Sequence, residues 1–238
     1  MDQNNIQNER YLRWIRNERI QHWILACSFI VLVITGFALK YPDAWWVRPF
    51  IGSDFVFNLR GLLHRIAGSA FIGLGIYHIG YLLLTRRGRS QIKALCPRIQ
   101  DLRDALQNFA FNLGLSKRRP RFGHYSYIEK VEYWALVWGA LIMSGTGFML
   151  WFEELTLTLF PKWVIDLLTV IHLYEAWLAT LAIVVWHFYM VLFKPEIYPI
   201  DLSMITGEIS EEMLREEHFL EYMQMQEGTR EIPYEESI

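Results

Sequence analysis

The stretch 60-RGLLHRIAGSAFIGLGIYH-78 decides the fold of this 238-residue chain. It is a long run of apolar and small residues with a histidine toward each end, His64 and His78, and a single charged residue between them, Arg65. An apolar run of this length can cross a bilayer as a helix. Imidazoles inside such a span are costly in lipid and usually face the interior of a helix bundle for a purpose. The stretch therefore predicts a membrane helix with functional histidines.

The composition of the whole chain has the same character. Hydrophobic residues make up 53% of the sequence, which also contains ten tryptophans, and this is typical of a small polytopic membrane protein. Four apolar segments are each long enough to span the bilayer. We therefore predict an all-α membrane protein, a four-transmembrane-helix bundle over residues 20–193, with helices at about 20–39, 59–84, 133–152 and 164–193.

The distribution of basic residues predicts the orientation. Arginines recur through residues 1–19, and the loop 85–132 contains 85-TRRGR-89 and 117-KRRPR-121. By the positive-inside rule, this loop and both termini are cytoplasmic. The expected location is the inner (cytoplasmic) membrane of a bacterial cell, crossed several times. The tail 194–238 is acidic, and we expect a solvated cytoplasmic segment with one amphipathic helix.

The four segments form an internal repeat. The first, 18-ERIQHWILACSFIVLVITGFAL-39, aligns without gaps on the third, 129-EKVEYWALVWGALIMSGTGFML-150. The second, 64-HRIAGSAFIGLGIYHIGYLL-83, matches the fourth, 172-HLYEAWLATLAIVVWHFYMVL-192, with one residue inserted in the latter. This pattern predicts two repeated helical hairpins related by a pseudo-twofold axis along the membrane normal.

The repeat places histidines at two depths. His64 and His78 differ by about 40° around the helix axis and lie roughly 21 Å apart along it. His172 and His187 differ by about 60° and lie some 22 Å apart. Imidazoles from facing helices are suitable axial ligands for haem iron. Without a C-x-x-C-H motif, such a haem would be held non-covalently. The simpler interpretation is hydrogen bonding between helices, which is the commoner role of a single membrane histidine.

A fifth histidine leaves the pairing open. His22 lies at the level of His78 and His187, but its repeat partner is Tyr133. Symmetry alone therefore favours the pairs His64–His172 and His78–His187.

The chain resembles the membrane cytochrome b subunits of formate dehydrogenases and nickel–iron hydrogenases, a four-helix di-haem family of the bacterial cytochrome b561-like type. The resemblance spans all four helices and rests on 19-RIQHW-23, 62-LLHRIAG-68, 171-IH-172, 187-HFYM-190 and the Thr-Gly pairs at 35–36 and 146–147. Transferred position by position, it implies that an outer haem is ligated by His64 and His172 and an inner haem by His22 and His187. His78 is the rival to His22.

From the resemblance we also expect an electron-transfer function. Two haem b groups would carry electrons between a periplasmic iron–sulfur or multihaem cytochrome subunit and a quinone, menaquinone or ubiquinone, within a hetero-oligomeric complex in the lipid bilayer. We expect no nucleic-acid partner. One alternative is a conduit between cytochromes without quinone chemistry; another is a haem-free transporter or assembly protein.

Two further sites are predicted. Quinone oxidation or reduction would take place in a region that resembles the family's quinone-lining segment and contains Tyr125, Ser126 and Glu129, with His78 as a further candidate. The competing interpretation is an ordinary helix start, with Ser126 and Glu129 as a capping box and Lys130 snorkelling. Arg65 would bind a haem propionate, since arginine pairs well with carboxylates, or snorkel to headgroups.

Overall fold

The computed structural model describes residues 10–48, 54–195 and 197–229. Within these residues, four helices are long and apolar enough to cross a membrane, which confirms the predicted all-α membrane class. In chain order the elements are β1 (Arg10–Leu12), α1 (Arg16–Lys40), α2 (Asp54–Leu84), α3 (Arg86–Leu95), α4 (Ile99–Asn112), α5 (Tyr127–Trp151), α6 (Glu153–Leu159), α7 (Lys162–Leu181, continuing as π-helix over Ala182–His187 and Tyr189–Phe193), α8 (Ser203–Thr206), β2 (Glu208–Ser210), α9 (Glu211–Glu217) and α10 (Phe219–Gln226). The spanning helices are α1, α2, α5 and α7 with its π-helical continuation.

The spanning helices begin before the apolar segments that predict them. Helix α5, for example, starts at Tyr127 rather than near 133. Its polar first turn is stabilised by Glu129, whose carboxylate accepts hydrogen bonds from the Ser126 backbone amide (2.7 Å) and hydroxyl (2.8 Å). Hydropathy locates the part of a helix that lies in lipid, whereas capping determines where the helix begins.

The π-helical end of α7 explains the inserted residue of the repeat. The His172–His187 spacing exceeds the His64–His78 spacing by one residue. A π-type hydrogen bond spans one residue more than an α-helical one, and π-bulges occur frequently at functional sites. The extra residue is therefore accommodated in Ala182–His187, which is π-helical and ends on the histidine itself.

The chain divides into two compact units. The histidine unit comprises Ile20–Ile79 and Val137–Val185. Within it, α1 and α7 meet where the rings of Phe37 and Trp177 lie 4.5 Å apart. Many large apolar side chains of this unit point outward; Ile34 of α1 and Ile66 of α2, for example, are more than half exposed. This exposure is what a bilayer-embedded surface requires.

The polar unit comprises the described residues of Met1–Arg19, Gly80–Leu136 and Trp186–Ile238. Its strands β1 and β2 pair antiparallel, with Tyr11 opposite Ile209. Gly207 precedes β2 at φ 90°, and its carbonyl accepts hydrogen bonds from the amides of Arg13 (2.8 Å) and Trp14 (3.0 Å). A Cβ at Gly207 would lie 2.8 Å from the Trp14 carbonyl oxygen, so only glycine fits here.

The described part of the tail is folded, which corrects the expectation of a solvated segment. Leu214 on α9 is fully buried, and Glu221 on α10 is 2% exposed. The reason is the specific partners supplied by the N-terminal residues and by the segment before α5, which composition cannot indicate. Glu196 and residues 230–238 of the predicted tail, and residues 1–9 of the predicted N-terminal segment, lie outside the described residues.

Candidate cofactor site

His64 is held by a threonine of the neighbouring helix. Its Nδ1 lies 2.8 Å from the Thr35 hydroxyl oxygen, and that hydroxyl donates its own proton to the Val31 carbonyl at 2.6 Å. A hydroxyl has one proton, so Thr35 must accept from the imidazole, and Nδ1 carries the ring proton. This leaves Nε2 with a lone pair, the form in which neutral imidazole binds a metal.

The second repeat reproduces this arrangement. The Thr146 hydroxyl lies 2.8 Å from His172 Nδ1 and donates to the Ile142 carbonyl at 2.7 Å. The glycines that follow the two threonines, Gly36 and Gly147, lie directly against the imidazoles. A Cβ there would approach Cε1 of His64 at 3.4 Å and Cε1 of His172 at 3.2 Å. Each Thr-Gly pair therefore sets the tautomer of one histidine and leaves room for its ring.

The two histidines face each other at a spacing that fits one iron. Their ring centroids are 6.4 Å apart, with an interplanar angle of 64°. Two imidazoles that ligate one metal in line, each through a bond of about 2 Å, place their centroids about 6 Å apart. The planes can turn about the metal–nitrogen bonds, so the angle is compatible with ligation. Among the described residues, nothing hydrogen-bonds to either Nε2. The donor set fits a haem iron.

Arg60 is a site residue that sequence reasoning missed. It lies four residues before His64 and therefore on the same helix face. Its Nε is buried and has no hydrogen-bond partner among the described residues, while its guanidinium lies 4.5 Å from the Phe57 ring. Arg65, the predicted propionate partner, instead has its guanidinium 5.6 Å from the Trp151 ring. The (i, i+4) spacing to His64 is the signal that could have identified Arg60.

The other predicted ligands lie in different surroundings. In the histidine unit, His78 Nδ1 is 2.7 Å from Gln21 Oε1. The ring of His22, which follows Gln21 in the sequence, packs edge-on against that of Trp23, with ring centroids 5.6 Å apart. In the polar unit, His187 Nδ1 lies 3.7 Å from Glu132 Oε2. A carboxylate at the second ring nitrogen is a common feature of metal-ligating histidines. That His22 rather than His78 ligates the inner haem remains a prediction.

A cluster of buried charges occupies the predicted quinone region. Arg13, which is 3% exposed, contacts Glu221 and Glu129 at 3.1 Å each and donates to the His124 carbonyl at 2.8 Å. His124 Nδ1 lies 2.7 Å from Glu221. Glu221 is more than 90 residues from its partners in sequence, so no local pattern could predict this cluster.

The predicted quinone residues have assigned structural partners. Ser126 and Glu129 form the predicted capping box, and Lys130 does not snorkel but binds Asp101 at 2.8 Å. Tyr125 packs against Trp14 and His124, with ring centroids 6.1 Å and 4.5 Å away. Burial raises the pKa of the Tyr125 hydroxyl well above its ordinary value. Tyr125, Ser126 and Glu129 are thus brought together, whereas His78 belongs to the histidine unit.

A second buried ion pair holds the start of α1. Arg87 binds Glu18 bidentately, with Nε at 2.6 Å and a terminal nitrogen at 2.8 Å. Gln91 and the Tyr81 hydroxyl also donate to this carboxylate, at 2.6 Å and 2.7 Å. Charge-assisted, bidentate bonds of this kind are strong and geometrically specific. They anchor the start of α1 to the end of α2 and to α3.

The burial of His218 makes the stability of the folded tail depend on pH. Burial lowers its pKa from 6.5 to about 4, and the nearby Arg13 acts in the same direction. Because the folded state binds the proton less readily than the unfolded state, the stability contribution of His218 is fully present above about pH 6.5. It is lost as the pH falls toward about 4, and the total loss in the free energy of unfolding is about 3 kcal/mol. We expect hydrogen–deuterium exchange of residues 208–226, corrected for intrinsic rates, to accelerate from pH 7 to pH 5.

The matched control is His218→Gln, which can still donate to the Gly123 carbonyl that His218 Nδ1 contacts at 2.9 Å. This variant should show a weaker acceleration. Burial also lowers the pKa of His124, so part of the effect should persist. Exchange that is equally fast at both pH values in the unmodified chain would contradict the prediction.

The chain is similar in sequence to proteins of known type. A family model described as prokaryotic cytochrome b561 matches residues 13–207. The formate dehydrogenase cytochrome b556(fdo) subunit of Escherichia coli K12 is 20% identical over 227 residues, covering 94% of this chain and 97% of that protein. The formate dehydrogenase cytochrome b556 subunit of Haemophilus influenzae is 23% identical over 146 residues, covering 60% of this chain and 55% of that protein.

Proposed function

Because the chain belongs to the prokaryotic cytochrome b561 family, we propose that it is the haem b subunit of a hetero-oligomeric membrane oxidoreductase complex, carrying electrons between a periplasmic redox partner and the quinone pool. The observation that carries the proposal is the His64–His172 pair, with both Nδ1 atoms bound to threonines and the ring centroids 6.4 Å apart. Haem b, when bound, supplies one-electron chemistry at its iron.

Each residue of this site has a proposed task. His64 and His172 would hold the haem iron through Nε2, while Thr35 and Thr146 hold the Nδ1 protons and fix the ring orientations. Arg60 and Arg65 offer positive charge for the propionates. The proposal for Arg60 is supported by its buried Nε, and that for Arg65 by its position next to His64 in the sequence.

A second haem is proposed on the family resemblance, with His22 and His187 as its ligands and His78 as the rival to His22. Glu132, 3.7 Å from His187 Nδ1, would orient that ring. We propose that the complex resembles those of the relatives, which are named as formate dehydrogenase subunits. An iron–sulfur or multihaem cytochrome subunit would then be the periplasmic partner, with the chain in the inner membrane and both termini cytoplasmic.

We propose that a quinone, menaquinone or ubiquinone, reacts near Tyr125, Ser126 and Glu129, with His78 as a further candidate. The proposal is supported by the ionisable groups buried there, since quinone chemistry needs groups that hold and pass protons. The competing function is a conduit between cytochromes without a quinone site. It is favoured by the engagement of both Glu129 carboxylate oxygens, one by the capping box and one by Arg13.

The test of the proposed function is reduction of the purified chain in proteoliposomes by a short-chain quinol. We expect the quinol to produce the b-type absorption bands of reduced haem, and a quinone-analogue inhibitor to block this reduction. Bands that appear with dithionite but not with quinol would support the conduit instead. The absence of b-type bands under both conditions would contradict both functions.

The threonines provide a prediction of their own. Thr35→Val keeps the side-chain shape but removes the oxygen that accepts from His64 Nδ1, so the ring loses its orientation and some of its basicity. We expect haem affinity at this site to fall about 10- to 100-fold and the reduction potential of the retained haem to rise. Thr146→Val should act alike through His172.

Thr35→Ser is the matched control because it keeps the hydroxyl. Haem content after dilution and redox titration of the b-type bands provide the two measurements. Equal haem retention and potential in the valine and serine variants would show that the threonine contacts contribute only to packing.

A further inference from the structure

Helix α4 presents its apolar face away from the protein. Five large apolar side chains, four on the helix and one at its C-cap, are between 57% and 70% exposed: Ile99, Leu102, Leu106, Phe109 and Leu113. At 100° per residue they lie within a stripe about 80° wide. A surface helix in water has the opposite arrangement, with its apolar stripe directed to the core. The medium that this stripe faces should therefore be apolar.

The polar face of α4 is bound to the start of a membrane-spanning helix. Asp101 accepts a hydrogen bond from Lys130 Nζ at 2.8 Å, and the Asn108 amide donates to the Tyr127 hydroxyl at 2.9 Å. Tyr127 and Lys130 belong to the first turn of α5. One turn further along, the Trp134 indole donates to the Leu95 carbonyl at 2.9 Å, just before α4 begins. These contacts hold α4 at the level where α5 enters the bilayer.

Positive charge accompanies the exposed stripe. Arg103 lies at the edge of the stripe, and the segment 117-KRRPR-121 follows the helix. The acidic side chains of α4 are directed elsewhere, since Asp101 binds Lys130 and Asp104 accepts from Gln100 at 2.8 Å. An apolar face flanked by cations is the pattern that binds the interface of a bilayer containing anionic lipids.

We propose that α4 is a membrane-surface helix whose apolar stripe inserts into the interface of the bilayer and whose neighbouring basic segment, 117-KRRPR-121, binds anionic phospholipid headgroups. The helix would then hold the connection between α2 and α5 against the membrane. The inference depends only on the membrane-spanning helices and not on the proposed haem or quinone chemistry.

Depth-dependent fluorescence quenching of the full chain in nanodiscs tests this proposal. The native cysteines are first removed as Cys27→Ser and Cys96→Ser, both at exposed positions. A fluorophore is then attached through Leu106→Cys on the stripe or, as the matched control, through Asp104→Cys on the opposite face. Circular dichroism confirms that each variant keeps its helices.

We expect nitroxide-labelled lipid to quench the probe at position 106 several-fold more than the probe at 104. Aqueous iodide should show the reverse preference. Iodide quenching at 106 without lipid quenching would overturn the proposal because the stripe would face water. Protection from both quenchers would also overturn it, because a protein surface would then cover the stripe.

The anionic component is tested with phosphatidylglycerol. We expect its addition to neutral nanodiscs to increase lipid quenching at 106. The combined variant Lys117→Gln, Arg118→Gln and Arg119→Gln should lose this increase while keeping the quenching seen in neutral lipid. An unchanged signal on adding phosphatidylglycerol to the unsubstituted basic segment would overturn the headgroup assignment.

Discussion

Replacing His64 or His172 by alanine is expected to remove the same haem and to lower the haem content of the purified chain to roughly half. Each substitution deletes one of two imidazoles whose ring centroids lie 6.4 Å apart. With a single remaining imidazole, the iron would lose one of its two protein ligands, and a haem that is not covalently attached would depend on both. Haem quantification together with a reduced-minus-oxidised spectrum measures the loss. Because both variants affect one site, the double variant should lose no more than either alone.

The controls for this prediction are His22→Ala and His78→Ala, at the two histidines that compete for the other haem. We expect His22→Ala to lower the haem content and His78→Ala to retain it. His78 would then keep the role indicated by its 2.7 Å contact with Gln21, a hydrogen bond between α1 and α2. The reverse result would favour the internal repeat over the family resemblance as a guide to the ligands. Full haem content in both His64→Ala and His172→Ala would contradict the assignment of their site.

Glu18→Ala is expected to destabilise the fold by about 3–5 kcal/mol, because it leaves the Arg87 guanidinium buried without its counter-charge. The Arg87 side chain is 2% exposed, so water cannot replace the lost carboxylate. The hydrogen bonds from Gln91 and Tyr81 would be lost as well. Denaturant titration in detergent, followed by circular dichroism, measures the free energy of unfolding.

Glu208→Ala is the matched control, since it removes a glutamate from an exposed pair. Glu208 lies 3.6 Å from Arg10, and the side chains are 45% and 62% exposed. Exposed pairs contribute about 0–1 kcal/mol, so this variant should unfold nearly like the unmodified chain. Similar small effects of both substitutions would show that the Glu18 contacts do not stabilise the folded state.

Hydropathy and the internal repeat predict the main features of the fold and of the candidate site. Four apolar segments correspond to four long helices, because a bilayer requires about 20 apolar residues from any helix that spans it. The aligned Thr-Gly pairs and the histidines at 64 and 172 also come together in space. The related sequences of the two hairpins make the same threonine–histidine hydrogen bond. The spacing of residues along a helix predicts only that these groups lie at the same depth, not that they bond.

What the sequence could not predict depends on contacts between distant residues. Arg13 and Glu221 are 208 residues apart and both charged, so composition alone assigns each of them to solvent. The inserted residue before His187 is visible in the alignment, but a constant 100° per residue cannot show that a π-helix accommodates it. The outward stripe of α4 has ordinary amphipathic periodicity, and only the contacts of Asp101 and Asn108 reveal which face is exposed.

Whether His64 and His172 ligate a b-type haem is tested most directly by the spectrum of a chain that keeps this pair but lacks His22 and His187, the two ligands predicted for the second haem. In the variant carrying His22→Ala and His187→Ala, we expect about one haem per chain, with the low-spin electron paramagnetic resonance signal of bis-imidazole ligation. Circular dichroism verifies that the helices are retained. A folded chain of this variant that contains no haem, or only high-spin haem, would contradict the account.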